Sequence, residues 1–291
     1  RDNELILEAA RNNNALRVYE GPALVLKAYM SAVLTDMYGD VPYIEALKGS
    51  EGIVTPQYDS QEAIYTASNG ILANLEKAIS LMEAYNGAIQ VQGDILFNGN
   101  LAGWIKFAQS LRIKALMRIS GRQSVSANLQ AIYDAGNYLK TNAENATFNF
   151  APSQPNNFRM ANLRAGDFNL FIMSETMEEI LKDLDDPRMS VFFRPTANQP
   201  TEFRGLLNGP DASQTSISVA DFSLSGRIFR EEPASLDANF LTAWETKFLL
   251  AEAAERGYIT ADAKTLYDEA VTLAFEYWNT EMPADYLATG N

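Results

Sequence analysis

Histidine and cysteine are both missing from this chain of 291 residues. Histidine is the usual general base near neutral pH and the commonest transition-metal ligand. Its absence removes a Ser-His-Asp triad, a zincin site and a two-histidine, one-carboxylate iron site. Without cysteine there is no disulfide framework, no thiolate metal site and no thiol nucleophile. Catalysis by carboxylate, lysine or tyrosine stays open. Positive charge is also scarce: 23 Lys and Arg stand against 37 Asp and Glu, a net charge of -14. Nucleic-acid binding needs clustered cations, and with no basic stripe it is not expected here. No apolar run approaches the roughly 18 residues of a membrane span. The longest apolar-rich stretch, residues 22–33, is interrupted by Lys27 and Ser31. There is no phosphate loop, dinucleotide fingerprint or EF-hand-type calcium loop. No cofactor is expected, although scattered carboxylates leave room for a structural Ca²⁺ ion. The chain opens on Arg1-Asp2-Asn3-Glu4 and reads as processed or truncated.

What is present is helical. Leu24, Ala28, Ala32 and Val33 recur at helical spacing. Asp59 and Ser60 offer an N-cap to one apolar stripe of Ile64, Ala67, Ile71, Leu75, Ala78, Ile79 and Met82. Asn100 opens a helix ending near Gly121, and a shorter one turns Leu129, Ile132 and Tyr133 inward before Gly136. A helix from Ser174 buries Met177, Ile180, Leu181 and Leu184, and Pro187 stops it. Residues 241–256 and 262–279 form a tetratricopeptide-like hairpin, with Ala251, Ala253, Ala254 and Ala270 allowing close approach. The stretches 141–173 and 190–239, with the short helix between them, hold seven of the 11 prolines and much Asn, Gln, Ser and Gly. Long connections of this kind are usually functional or disordered.

The expected fold is therefore all-α: one domain over 1–291 with tetratricopeptide-like hairpins as scaffold. A helical block (1–140) is followed by a loop-rich middle (141–240) and the C-terminal hairpin (241–279). Short strands are expected at residues 148–150 and 216–219.

Four blocks stand out. Leu34-Thr35-Asp36-Met37-Tyr38-Gly39-Asp40-Val41-Pro42-Tyr43 reads physically as a helix stop, with Asp36 and Asp40 placed to bond free backbone N–H groups. Residues 94–100 followed by 104–112 form a loop and helix. Asp186-Pro187-Arg188-Met189 is a turn, and residues 248–257 are an alanine-rich helix ending in Arg256-Gly257. In this order the blocks resemble the SusD/RagB family of nutrient-binding proteins. The resemblance implies a non-catalytic, helical lipoprotein exposed on the Bacteroidota outer membrane. Such a protein delivers oligosaccharides, or in some branches peptides, to a TonB-dependent, SusC-like transporter. The lipid-bearing N-terminal cysteine of the family is missing and the chain is short. Both fit a fragment lacking part of each end, attached to the membrane only through an anchor absent here.

Sugar recognition pairs an aromatic face with amide, carboxylate or guanidinium groups that bond hydroxyls. Gln154-Pro155-Asn156-Asn157-Phe158-Arg159 supplies such a set, making Asn156, Asn157, Phe158 and Arg159 candidate ligand contacts. Phe203 and Asn208, in a loop resembling the family's aromatic-x-Gly loop, are further candidates, as is Tyr19 just before a helix. The competing reading of each is a turn former or a ring pinned to the core. Trp104, Trp244 and Trp278 read as packing. Glu178, Glu179, Asp183, Asp185 and Asp186 raise glycosidase chemistry but read as a solvated face. The rival functions are a helical-repeat adaptor for protein or peptide, with a helix-lined groove, and a histidine-free glycosidase.

Overall fold

The computed structural model describes residues 1–209 and 217–289. In chain order its elements are α1 (Asp2–Asn12), α2 (Glu20–Tyr38), α3 (Gln61–Thr66), α4 (Ile71–Glu83), α5 (Leu101–Ile119) and α6 (Ser126–Ala135). There follow β1 (Ala146–Asn149), α7 (Ala165–Phe168), α8 (Glu175–Asp183), α9 (Met189–Phe192) and β2 (Asp237–Leu241). The chain continues through α10 (Ala243–Glu255), α11 (Ala263–Tyr277) and α12 (Tyr286–Thr289). Contacts divide it into two compact units, Arg1–Ala146 with Leu241–Ala270, and Thr147–Phe240 with Val271–Asn291. The all-α expectation holds, with a single two-stranded sheet, β1–β2, among the described residues.

In the first unit, α4 packs on both α2 and α5. The core is apolar and tight: Leu24, Ile71, Leu75, Phe107 and Ile113 are essentially inaccessible. Glu20, at the start of α2, is buried but ion-paired with Arg11 (3.2 Å) and Lys77 (2.9 Å), as a buried carboxylate requires. Burial pushes its pKa up, but Lys77 and Arg11 outweigh that and hold it below the usual carboxylate range. A second cluster joins α5, α6, α10 and α11 through Leu116, Leu129, Ile132, Leu250, Ala253 and Leu266. Ala253 and Ala270 have no exposed surface, and α10 packs on α5.

The caps are local chemistry. Ser60 accepts from the Ala63 N–H, Asn100 from Ala102, Ser174 from Met177 and Thr242 from Glu245. The single stripe expected over residues 64–82 is two helices. Ala67 leaves the helical region (φ -63°, ψ 161°) and Gly70 caps α4. A Cβ at Gly70 would lie 2.7 Å from the Ile64 carbonyl oxygen, so the turn closes only around glycine.

In the second unit the loop-rich middle is knitted by isolated bridges: Ile172 with Leu224, Ser174 with Leu206 and Phe193 with Ser225. Gly205 makes this possible, because a Cβ there would fall 2.3 Å from the Ser174 carbonyl oxygen. Several expectations are corrected. β1 does overlap residues 148–149, but Ser216 lies outside the described residues and Val219–Asp221 is a short 3-10 turn. Leu241 ends a strand instead of opening a helix. Met177 and Ile180 are 40% and 50% exposed, and only Leu181 of that stripe is buried. A helical period shows which residues share a face, not whether another element covers it.

Candidate ligand-binding site

The sequence blocks prove to be scaffold. At the end of α2 the Gly39 N–H donates to the Thr35 carbonyl (2.8 Å), and the Thr35 hydroxyl donates to the Gly39 carbonyl (2.7 Å). Asp40 accepts from the Gln61 N–H (2.9 Å), as the sequence suggests for that carboxylate. Asp36 does not bond backbone: it accepts from the Tyr65 hydroxyl (2.7 Å) and pairs with Arg118 (3.1 Å). The Tyr43 hydroxyl donates to the Asn69 carbonyl (2.7 Å) and accepts from Asn74 (2.8 Å). Burial, helped by Glu4 and Asp59, pushes the Tyr43 pKa up to about 12. The motif thus fastens the exit of α2 to the α3–α4 turn.

Asp94 organises the second block. Its carboxylate accepts from the N–H groups of Leu96 (2.9 Å), Phe97 (3.1 Å) and Gly99 (2.9 Å), and from the Trp104 indole (2.8 Å). Trp104 is 3% exposed and meets Phe97 edge-on at 5.3 Å, which makes it packing as expected. Trp278 packs edge-on against Phe192 (4.9 Å), and Trp244 is half-buried.

The third block overturns one expectation. Asp186 is 4% exposed and belongs to no solvated face. It accepts from the Arg188 Nε (2.9 Å) and Nη2 (2.6 Å) and from the Tyr286 hydroxyl (2.9 Å), while Arg188 lies 4.0 Å over the Phe275 ring. Burial works to raise the Asp186 pKa, but the bonds from Arg188 and Tyr286 prevail and hold it below the usual carboxylate range. This is a clamp between a turn and the C-terminal segment, with every carboxylate oxygen engaged.

The loop candidates lie differently. In the second unit, half-buried rings run in series: Phe148 to Phe150 (5.7 Å between centroids), Phe150 to Phe158 (5.4 Å) and Phe158 to Phe229 (6.5 Å). Phe158 is thereby held from both sides while part of its surface stays open. Asn157 and Asn162 exchange amide hydrogen bonds (2.9 and 3.3 Å), which fixes the orientation of both. Asn156 is exposed and its carbonyl closes the loop by accepting from the Ala151 N–H (2.8 Å). Arg159 is exposed at the start of a 3-10 turn, Arg159–Asn162.

Phe203 and Asn208 share another loop, where Phe203 is half-buried and Asn208 exposed. That loop is held by the Gly205 N–H donating to Glu178 (2.6 Å) and the Arg204 N–H donating to Ser223 (3.0 Å). Burial tends to raise the Glu178 pKa, but Lys182 and the Gly205 N–H bring it below the usual range. Tyr19 belongs to the first unit, where its hydroxyl accepts from the Gln92 N–H (3.0 Å). Asn157, Phe158 and Arg159 lie in one loop, where Arg159 is exposed and the other two half-buried. The sequence misses Phe150, Phe229 and Asn162, which hold that loop. Phe229 stands 71 positions from Phe158, and no local spacing announces the pairing.

The first unit also carries a cleft of about 250 Å³ between α2 and α5, with Ala28, Ala32, Met37, Leu75, Ala115 and Arg118 among its walls. None of the loop candidates lines it. Among the described residues no trio of acidic side chains is grouped to hold a metal ion, and no helix is long and apolar enough to cross a membrane.

The chain thus combines a helical scaffold with rings and amides on irregular loops. The chain belongs to the SusD-like family, described as starch-binding and associating with the outer membrane, which matches residues 2–291. It is similar to the crystal structure of a SusD homolog from Bacteroides fragilis, with 26% identity and a TM-score of 0.80, covering 97% of this chain and 64% of that one. A second SusD homolog from that species has 24% identity and a TM-score of 0.81, covering 98% and 64%. A chitin-binding SusD homolog from Flavobacterium johnsoniae has 23% identity and a TM-score of 0.77, covering 97% and 57%. The last two likenesses concern the fold alone. The chain spans about three fifths of the length of these solved structures. No curated protein sequence matches it.

Proposed function

We propose that this chain is a non-catalytic glycan-binding protein of the outer membrane surface that passes oligosaccharides to a TonB-dependent transporter. The observation that carries this reading is the Phe150–Phe158–Phe229 ring series, partly open and flanked by the fixed Asn157–Asn162 amide pair. A half-exposed ring offers an apolar face to the C–H side of a sugar, and a locked amide meets its hydroxyls without further loss of rotamer freedom. The family's starch-binding description and the chitin-binding relative both favour sugars as the ligand class. Asn156, Asn157, Phe158 and Arg159 are the contacts this reading assigns first, with Phe203, Asn208 and Tyr19 as further ones. Isothermal titration against starch- and chitin-derived oligosaccharides tests it. Binding should weaken roughly tenfold in Phe158→Ala, on the order of 1.4 kcal/mol; silence toward every glycan would sink it.

A second reading, a groove for a peptide or partner helix, is favoured by the cleft on the first unit. Its rim on α2 leaves Met30, Val33, Leu34, Met37 and Tyr38 exposed at i, i+3, i+4, i+7 and i+8 spacing. Under that reading Met37→Glu abolishes capture of a partner and Phe158→Ala does nothing.

A further inference from the structure

Residues 147–240 carry eight Lys and Arg side chains. Lys182, Arg188, Arg194 and Arg227 are ion-paired, with Glu178, Asp186, Glu231 and again Glu231. Arg204 has no ion pair but lies 5.3 Å over the Phe222 ring. The remaining three, Arg159, Arg164 and Arg230, meet no carboxylate among the described residues. They are not scattered. Arg159 follows Phe158, and Phe158 packs on Phe229, the neighbour of Arg230. The Arg230 Nε donates to the carbonyl of Leu163 (3.1 Å), the neighbour of Arg164. Two contacts therefore gather all three cations around the short 3-10 turn beside the ring series. Among the described residues none of the carboxylates nearest in sequence pairs with them: Glu231 is taken by Arg194 and Arg227, and Glu232 and Asp167 form no ion pair.

Three guanidinium groups without ion pairs thus stand together in a chain of net charge -14. A guanidinium presents a planar fork of N–H donors that matches a carboxylate or sulfate two bonds at a time. Placed together, such groups raise the local potential and draw anions toward the rings. We propose that the aromatic loop site takes an acidic oligosaccharide, one bearing carboxylate or sulfate groups, in preference to a neutral one. This rests on the glycan-binding reading and narrows its ligand class. Phe158 meets the ring face of a sugar, while Arg159, Arg164 and Arg230 meet its charged substituents.

The test is titration of the protein with oligogalacturonate, a chondroitin sulfate oligosaccharide, and neutral malto- and chito-oligosaccharides, at low and high salt. At least one acidic ligand should bind about tenfold more tightly than the neutral ones at low salt. That advantage should shrink as salt screens exposed charges. The double variant Arg159→Gln/Arg164→Gln alters two exposed side chains and so leaves the fold intact; it should weaken acidic binding about tenfold more than it weakens neutral binding. Arg122→Gln, at an exposed cation of the first unit, should change neither. The carboxylate and sulfate arms tell which group is preferred. Binding of neutral ligands alone overturns the proposal and leaves the glycan reading standing, while silence toward every ligand overturns both. Acidic binding that ignores the double variant, or that Arg122→Gln weakens equally, also overturns it.

Discussion

Asp186 shows how one side chain can join distant parts of a unit. Removing its charge leaves the Arg188 guanidinium, itself largely buried, without its main acceptor. Breaking such a pair typically costs about 3–5 kcal/mol. Asp186→Asn should therefore lower the thermal midpoint strongly, as read by circular dichroism. The pH response follows from the depressed pKa. An unfolded Asp titrates near 3.9, above the folded value, so the unfolded chain binds the proton more readily in acid. The stabilisation is fully present above about pH 4 and is lost as the pH falls through the folded pKa. Wild type should lose stability over that acidic interval, and Asp186→Asn should lose less. Phe107, fully buried on α5, makes an apolar contrast: Phe107→Ala should cost about 3–5 kcal/mol with no pH dependence.

Helix starts were legible because a cap is a local bargain between one side chain and the free N–H groups that follow it. Ser60, Asn100 and Ser174 could each be read from two or three neighbouring residues. Asn100→Ala should accordingly cost only about 1 kcal/mol, measured by denaturant titration. The loop-rich middle was not legible in the same way. The pairing of Ser174 with Leu206, and of Phe158 with Phe229, depends on chain closure over tens of residues, to which hydrophobic spacing is blind. The same blindness misassigned Met177 and Ile180, whose stripe is real but only partly covered. Gly205 gives a sharper test of that middle. Gly205→Ala places a methyl group against backbone that cannot swing away, and should cost about 1–3 kcal/mol in a thermal melt.

For the whole molecule, the four sequence blocks pointed to the family, and their side chains serve its frame. Their residues bond to each other: Thr35 with Gly39, Asp94 with Gly99 and Trp104, and Asp186 with Arg188. The residues proposed to meet ligand lie outside those blocks, and Asn157, Phe158 and Arg159 stood out only by their chemistry. An excess of acid over the whole chain also sets how salt should act. Screening relieves self-repulsion among like charges, so stability should rise modestly with salt. Acidic-oligosaccharide binding should fall over the same range, and one salt series with both readouts separates the two effects.

The Asp94 carboxylate gathers three backbone amides from a segment that has neither helix nor strand. Loops of that kind ordinarily trade their amide protons with solvent almost at once, because local opening costs them little. Here opening requires three bonds to one anion to break together. In deuterated buffer the amides of Leu96, Phe97 and Gly99 should stay protonated nearly as long as those of the neighbouring helix. Replacing Asp94 with Ala should turn all three into fast exchangers at once.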